Sequence, residues 1–425
     1  MSTNHLSDIA SWRTRQSGMR GIPSICSAHP MVIEAAMRHA LKRGTHLLVE
    51  ATCNQVNQDG GYTGMTPLDF RRFVEEIAVR TGFPAAKLIL GGDHLGPNPW
   101  KHLPPGEAMA KARVMIRAYA EAGFTKLHLD TSMGCAGEPV ALPDSVTAER
   151  AASLAAVAEA AVPAGAVKPV YIVGTEVPIP GGAMEELDVL EVTKPEAALE
   201  TVTVHREAFA AAGAAEAFLR VVGVVVQPGV EFGNHNVIAY EPAKAKALSA
   251  ALERLPGLVF EAHSTDYQTR EALRSLVNDG FAILKVGPGL TFALREAFYG
   301  LDRIAEFLFP GKRKETLQAT MERVLTAEPK NWERYYHGSP DEQRLQRHFS
   351  YSDRIRYYWP QPQVAAAVDE LFTLLDGMTI PETLISQDLA GLYPAVRQGR
   401  AIPTAAGLAL AAVEKVLEDY FEACG

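Results

Sequence analysis

Several features are scarce in this chain of 425 residues. Its four cysteines, Cys26, Cys53, Cys135 and Cys424, form no CxxC pair. The sequence therefore predicts reduced thiols, and neither a disulfide framework nor a thiolate zinc site. No block of basic residues occurs, and the formal net charge is −9. This balance disfavours nucleic acid and anionic membranes as partners.

Long apolar runs are also missing. The run VVGVVV at 221–226 is far too short to span a bilayer. The N-terminal stretch MSTNHLSDIASWRTRQSG is polar and has no apolar h-region, so no signal peptide is expected. These observations predict a cytoplasmic protein.

Short apolar runs are present and recur along the chain. Each is followed by a glycine-rich or polar turn and then by a stretch with helical spacing of apolar residues. Eight such units within residues 21 to about 308 favour a (β/α)8 TIM barrel over the alternative of an open doubly wound sheet. We therefore expect a barrel with a short N-terminal helical segment over 1–308, and an α-helical C-terminal extension over 309–425. The runs are Gly21–Cys26, His46–Glu50, Lys87–Leu90, Lys126–Leu129, Pro169–Val173, Val221–Val226, Leu258–Glu261 and Ala282–Val286.

Three histidines follow the strands of units three, six and seven: His94, His235 and His263. In a barrel the catalytic groups come from the carboxyl ends of the strands, so these side chains are expected at one mouth. Three protein ligands with an open position describe a catalytic metal site. The alternative is that each is an ordinary loop or core histidine. Packing is the better interpretation of His128, within a strand, and of His205, within a helix.

Asp93 precedes His94 in the stretch GGDHLGPNPW, which directly follows an apolar run. An aspartate beside a metal-bound substrate can move a proton, while the metal polarises a carbonyl and holds an enediolate. That combination suits carbon–carbon cleavage, or epimerisation, next to a keto-hydroxy group. The alternative for Asp93 is a helix cap or turn former.

Other polar residues lie at the same predicted mouth. The acids could orient the histidines, bind sugar hydroxyls or cap the following helices, and we predict Asp130 and Glu176 as catalytic candidates with Asp93. The turn Gly287-Pro288-Gly289 opens a helix and resembles a phosphate cradle, although a plain turn would look the same. The predicted substrate-binding residues are Glu50, Asn54, Ser132, Glu231, Asp266, Lys285, Gly287 and Gly289.

A series of long motifs resembles one known family. The motifs are VEATCNQVNQDGGYTGM, GGDHLGPNPW, FTKLHLDTSM, VGTEVPIPGG, GVEFGNHN, EAHSTDYQ and SYSDRIRYYWP. Together they resemble the Z subunit of tagatose-bisphosphate aldolase (GatZ/KbaZ type), which is similar to the class II zinc-dependent ketose-bisphosphate aldolases. The resemblance implies Zn²⁺ as the metal, Asp93 as catalytic acid/base, and His94, His235 and His263 as ligands.

The resemblance leads us to predict a Z-type subunit for the breakdown of galactitol, tagatose or N-acetylgalactosamine. Its partners would be a sugar or sugar-phosphate ligand and a catalytic aldolase Y subunit, in an oligomer. The alternative is a stand-alone metal-dependent aldolase or 4-epimerase acting on a ketose, ketose phosphate or keto-acid. A tagatose-6-phosphate kinase is disfavoured because the sequence has no GxxxxGK[ST] loop. The pattern departs from class II aldolases where Asn236 follows His235 and Ser264 follows His263.

Overall fold

The computed structural model describes residues 4–15, 18–175 and 190–425. The barrel strands are β1 (Ile22–Ile25), β2 (Leu47–Thr52), β3 (Leu88–Leu95), β4 (Lys126–Leu129), β5 (Val170–Val173), β6 (Val221–Val225), β7 (Val259–Ala262) and β8 (Phe281–Val286). These eight parallel strands form a closed barrel in the order β1-β8-β7-β6-β5-β4-β3-β2, which confirms the predicted (β/α)8 fold.

A helix follows each barrel strand. Local sequence signals define the ends of these helices. Thr66 and Asp69 form a capping box at the start of the helix after β2, and Gly44, in the left-handed conformation, ends the helix after β1. The helices after β1 to β8 are Pro30–Arg43, Pro67–Thr81, Pro105–Glu121, Asp144–Ala161, Pro195–Ala211 with the short Ala215–Phe218, Pro242–Ala251, Arg270–Asn278 and Pro288–Leu308. Short 3-10 turns are Ala85–Lys87, Asn98–Trp100 and Leu252–Arg254.

The barrel interior has an apolar layer at the amino ends of the strands. Inward side chains such as Ile22, Leu48 and Val259 form a buried cluster there with Leu6 and Trp12 of the N-terminal segment. This segment consists of a 3-10 turn and a short helix, His5–Asp8 and Ile9–Trp12. Because the amino end is filled by apolar side chains, the polar groups lie towards the opposite mouth.

A small hairpin interrupts the sixth unit before its helix. Its strands, Glu231–Phe232 and Val237–Ile238, pair antiparallel. The turn between them carries the exposed His235. The predicted ligand is therefore displaced from the end of β6.

Residues after 308 are helical and pack onto the barrel. The final helix lies against the helices Pro30–Arg43, Arg270–Asn278 and Pro288–Leu308. The segment SYSDRIRYYWP also packs on the barrel, because Tyr351 contacts Tyr267 with ring centroids 4.4 Å apart. The division at residue 308 stays a prediction. The helices are Leu317–Ala327, Pro340–Phe349, Pro362–Leu374, Glu382–Asp388, Tyr393–Arg397 and Ala405–Cys424, with 3-10 turns Pro329–Asn331, Arg354–Tyr358 and Ala390–Leu392.

None of the helices in the described ranges combines the length and the apolar character needed to cross a membrane.

Candidate active site at the carboxyl ends of the barrel strands

A small polar cavity opens at the carboxyl ends of the strands. Its volume is about 70 Å³. Its walls come from the loops after several barrel strands and from one segment of the C-terminal extension. The polar and charged residues that line it are Thr52, Asn54, Gln55, Tyr62, Asp93, His94, His263, Ser264, Asp266, Lys285, Arg356 and Tyr357, beside Cys26.

A bulge at the end of β3 turns both Asp93 and His94 into this cavity. The register between β3 and β4 shifts between Gly92 and Leu95, and His94 has a left-handed backbone with φ of 49°. Neighbouring residues on a regular strand point to opposite faces, so the bulge is what allows both side chains to line the same pocket. Asp93 Oδ2 and His94 Nε2 are 3.8 Å apart.

His94 is oriented by an acid on the neighbouring strand end. Its Nδ1 lies 2.7 Å from Oδ2 of Asp130, and Ser132 Oγ donates to Oδ1 of the same carboxylate at 2.8 Å. Burial alone would lower the pKa of His94, but Asp93 and Asp130 together raise it above its ordinary value. Asp130 thus acts on the imidazole rather than capping a helix, and Ser132 supports it.

Three buried imidazoles lie close together, and two of them, His94 and His263, line the cavity. They are His94, His128 and His263, and each pair of ring centroids is separated by 4.9 to 5.1 Å. Each ring also has a carboxylate on one nitrogen: Asp130 for His94, Asp93 for His128 at 2.9 Å, and Glu261 for His263 at 2.9 Å. Metal-binding histidines typically carry such a carboxylate on the nitrogen that does not bind the ion.

The side chains in this region can hold a cation. Ligand atoms of Asp93, His128, Glu261 and His263 all lie within 4.8 Å of one another. His128 Nε2 is buried and has no hydrogen-bond partner among the described residues, which is costly unless something binds it. Burial lowers the pKa of His263 to about 3, so this ring is neutral at pH 7 and has a lone pair free for a metal. The donor set fits a divalent ion with nitrogen and carboxylate ligands.

Two lysines and one further acid, Glu50, are buried beside the histidines. Lys126 Nζ lies 2.6 Å from Glu50 and 2.7 Å from Glu261, while Lys285 Nζ contacts Glu50 and lies 2.8 Å from Asp93. Burial alone would lower the pKa of Lys285, but Asp93 and Glu50 raise it well above its ordinary value. Counting Asp130, acids outnumber lysines in this region, which favours a bound cation.

The predicted substrate-binding residues are only partly brought together. Asn54 and Lys285 line the cavity, and Glu50 is buried beside the histidines. Glu231 is buried on the hairpin, where its carboxylate accepts the Phe232 N–H at 3.0 Å. Burial raises the pKa of Glu231 to about 7. Glu176 lies outside the described residues.

The glycine turn is not a free phosphate cradle. The amides of Gly287 and Gly289 both donate to Oδ1 of Asp266, at 2.9 and 2.7 Å. The carboxylate therefore occupies the position at this helix start where a phosphate would bind. Asp266 lines the cavity as the partner of that turn.

His235 is not part of the buried cluster. It is exposed at the hairpin turn, whereas His128 is fully buried on β4. Sequence reasoning missed His128, Lys126 and Glu261. The sequence of β4 does indicate two of them. Lys126 and His128 alternate with Leu127 and Leu129, which pack against the surrounding helices. Because alternate residues of a strand point to opposite faces, Lys126 and His128 must point into the barrel.

A family model described as D-tagatose-1,6-bisphosphate aldolase subunit GatZ/KbaZ-like matches residues 6–425. The chain belongs to this family. The family expected from the sequence motifs is thereby confirmed. This GatZ/KbaZ-like chain is 56% identical over 406 residues to a protein of Agrobacterium fabrum (strain C58 / ATCC 33970) named D-tagatose 6-phosphate 4-epimerase, with 95% of each chain covered.

A solved structure is similar to this GatZ/KbaZ-like chain throughout. It comes from Sinorhizobium meliloti 1021 and is described as that of a "probable tagatose 6 phosphate kinase". The identity is 70%, the TM-score is 0.89, and the similarity covers 95% of this chain and 100% of that chain. The names of the two relatives thus differ in the reaction, but both contain tagatose 6-phosphate.

Proposed function

We propose that this protein is a metal-dependent epimerase that inverts C4 of D-tagatose 6-phosphate. The observation that carries the proposal is the buried cluster at the barrel mouth, in which His94, His128 and His263 each have a carboxylate partner. The relative named for this activity, at 56% identity over almost the whole length, supports the choice of substrate.

The chemistry of the substrate favours carbon–carbon cleavage. C4 of a 2-ketose is not adjacent to the carbonyl, so its hydrogen is not acidic. Inversion through oxidation of the 4-hydroxyl would need a hydride acceptor, and the sequence has no GxGxxG motif for a nicotinamide cofactor. In the alternative, the C3–C4 bond breaks, its electrons form an enediolate over C2 and C3, and the resulting aldehyde rotates. C3 then attacks the opposite face of the aldehyde, with no net change in atoms or electrons.

The residues that would hold the ion are His128 and His263, with Asp93 and Glu261 within reach of the same point, and the ring of His94 lies beside theirs. Asp130, Asp93 and Glu261 each contact one ring nitrogen of His94, His128 and His263, and these contacts fix the orientation of the rings. Zn²⁺, the metal we expect from the family resemblance, would polarise the C2 carbonyl when bound and stabilise the negative charge of the enediolate.

Asp93 is placed to move the proton of the 4-hydroxyl. Its Oδ1 faces His128, Lys285 and the backbone N–H of His94. These contacts leave Oδ2 on the cavity side, where Cys26 Sγ lies 3.7 Å and His94 Nε2 lies 3.8 Å from it. Oδ2 therefore takes the proton as C3–C4 breaks and returns it after the bond re-forms.

Turnover by the isolated chain tests this proposal. The purified protein is incubated with D-tagatose 6-phosphate, and D-fructose 6-phosphate is measured with and without EDTA. We expect conversion that EDTA abolishes, and retention of a deuterium label placed on C4. No conversion without an added aldolase chain would favour the accessory-subunit alternative. A bisphosphate formed only with ATP would favour a kinase.

A further inference from the structure

The catalytic cavity is too small for the proposed substrate. A volume of about 70 Å³ has room for about five water molecules, fewer atoms than a phosphorylated six-carbon ketose contains. A second cavity of about 500 Å³ adjoins it. The two share a wall formed by Cys26, Gln55, Tyr62, Gly287 and Arg356. If the proposed function holds, the end of the substrate away from the reacting carbons extends past this wall.

The obvious cationic groups near the reacting end are already engaged. Lys285 is paired with Asp93 and Glu50. The helix start at Gly287 and Gly289 is occupied by Asp266. A phosphate group therefore needs another positive charge close to the shared wall.

Arg356 supplies that charge. It lies in the 3-10 turn Arg354–Tyr358 of the C-terminal extension and lines both cavities. No carboxylate of the described residues lies within ion-pair distance of Arg356, because none of the ion pairs found in those ranges includes it. Within the described ranges its guanidinium therefore has no direct carboxylate partner.

The guanidinium of Arg356 is held in place and still has donors to spare. Nη1 donates to the carbonyl oxygens of Ser352 and Asp353, and Nη2 donates to the Tyr357 hydroxyl at 3.0 Å. A guanidinium has five N–H donors, so Nε and the second hydrogen of Nη2 have no acceptor within the described ranges. Tyr62, which packs edge-on against Tyr357 with ring centroids 4.7 Å apart, adds a phenol to the same wall.

We propose that Arg356 binds the phosphate group of the sugar-phosphate substrate at the wall between the two cavities. A fixed guanidinium with two free N–H groups matches the oxygens of a phosphate. The inference deepens the proposed function and rests on it for the identity of the sugar. It also makes the C-terminal extension part of the active site, since the barrel residues described here offer no equivalent free cation at this wall.

The test compares a phosphorylated and an unphosphorylated ligand. Binding of D-tagatose 6-phosphate and of D-tagatose is measured by calorimetry, and turnover of each is assayed, for the wild type, Arg356→Gln and Arg356→Lys. Arg344→Gln is the matched control, because Arg344 is exposed on a helix of the same extension. We expect Arg356→Gln to weaken binding of the phosphate ester by about tenfold to a hundredfold and to leave the free sugar unaffected. Arg356→Lys, which keeps the charge, should lose less, and Arg344→Gln should lose nothing.

The outcomes separate this inference from the proposed function. If the wild type binds the ester without converting it and Arg356→Gln loses that binding, the epimerase proposal fails and the phosphate site stands. If the wild type converts the ester but Arg356→Gln weakens both ligands equally, the phosphate site is overturned. A wild type that binds the ester no more tightly than the free sugar overturns it too. Should Arg356→Gln not fold, as judged by circular dichroism, Arg356→Lys provides a smaller version of the test: we expect weaker binding of the ester alone, and an equal loss for both ligands overturns the phosphate site.

Discussion

Nδ1 of His94 lies 2.7 Å from Oδ2 of Asp130, across the ends of two neighbouring barrel strands. The carboxylate fixes the orientation of the ring and makes its other nitrogen a better ligand. We expect Asp130→Asn to lower metal affinity or epimerase activity by about tenfold to a hundredfold. Metal titration and steady-state kinetics check this. Unchanged values for both would show that the pair is only structural.

His128 and His235 offer a matched pair of histidine variants. His128 is buried, and in the part of the chain that the structure describes its Nε2 has no hydrogen-bond partner, whereas His235 is exposed at a hairpin turn. We expect His128→Ala to lose the bound metal, about one ion per chain in the wild type, and His235→Ala to retain it. Metal content measured by mass spectrometry on the purified proteins decides between them. If His235→Ala loses the ion and His128→Ala keeps it, the ligands are instead those expected from the sequence, with His235 among them.

Lys285 should not form a Schiff base with the substrate. Asp93 and Glu50 neutralise its ammonium group and raise its pKa well above the ordinary value, although burial alone would lower it. A lysine must be neutral to attack a carbonyl. We therefore expect borohydride, added with D-tagatose 6-phosphate, to leave the mass of the protein unchanged. A covalent sugar adduct mapped to Lys285 would replace the metal mechanism with an imine mechanism.

The buried Asp353 should make stability depend on pH. Burial raises its pKa to about 7 from an ordinary value of 3.8, although Arg295 and Thr291 act in the opposite direction. Between these two values the unfolded chain releases the proton while the folded chain keeps it. The contribution to the free energy of unfolding therefore falls as pH rises from about 4 to about 7.

Asp353→Asn tests this dependence, since asparagine tolerates the left-handed backbone found there, with φ of 46°. Relative to the wild type, we expect the variant to gain stability with rising pH by up to about 1.4 kcal/mol per pH unit. Urea unfolding at pH 5, 6 and 7 measures the difference. Asp341→Asn, at an exposed position of the extension, is the control, and its difference in unfolding free energy from the wild type should not change with pH. If the difference for Asp353→Asn also stays constant from pH 5 to pH 7, this carboxyl is ionised in the folded protein.

The sequence was sufficient for the architecture. Eight apolar runs of strand length, each followed by helical spacing, predict the closed barrel, because strand and helix periodicities are local properties of the chain. The same order places the carboxyl ends of all strands at one mouth, so the sequence by itself assigns Asp93, His94, Asp130 and His263 to that mouth. The motifs around these residues also indicated the family.

Only the tertiary structure decided which histidine completes the cluster. His128 lies inside an apolar strand and could be interpreted as packing, but its inward parity brings it beside His94 and His263. His235 follows β6 in the chain, yet the hairpin carries it into solvent. The position of Arg356, distant in sequence from every barrel strand, likewise depends on how the extension packs. Contacts between distant segments depend on which side chains face each other in the closed barrel, and this information is not contained in local spacing.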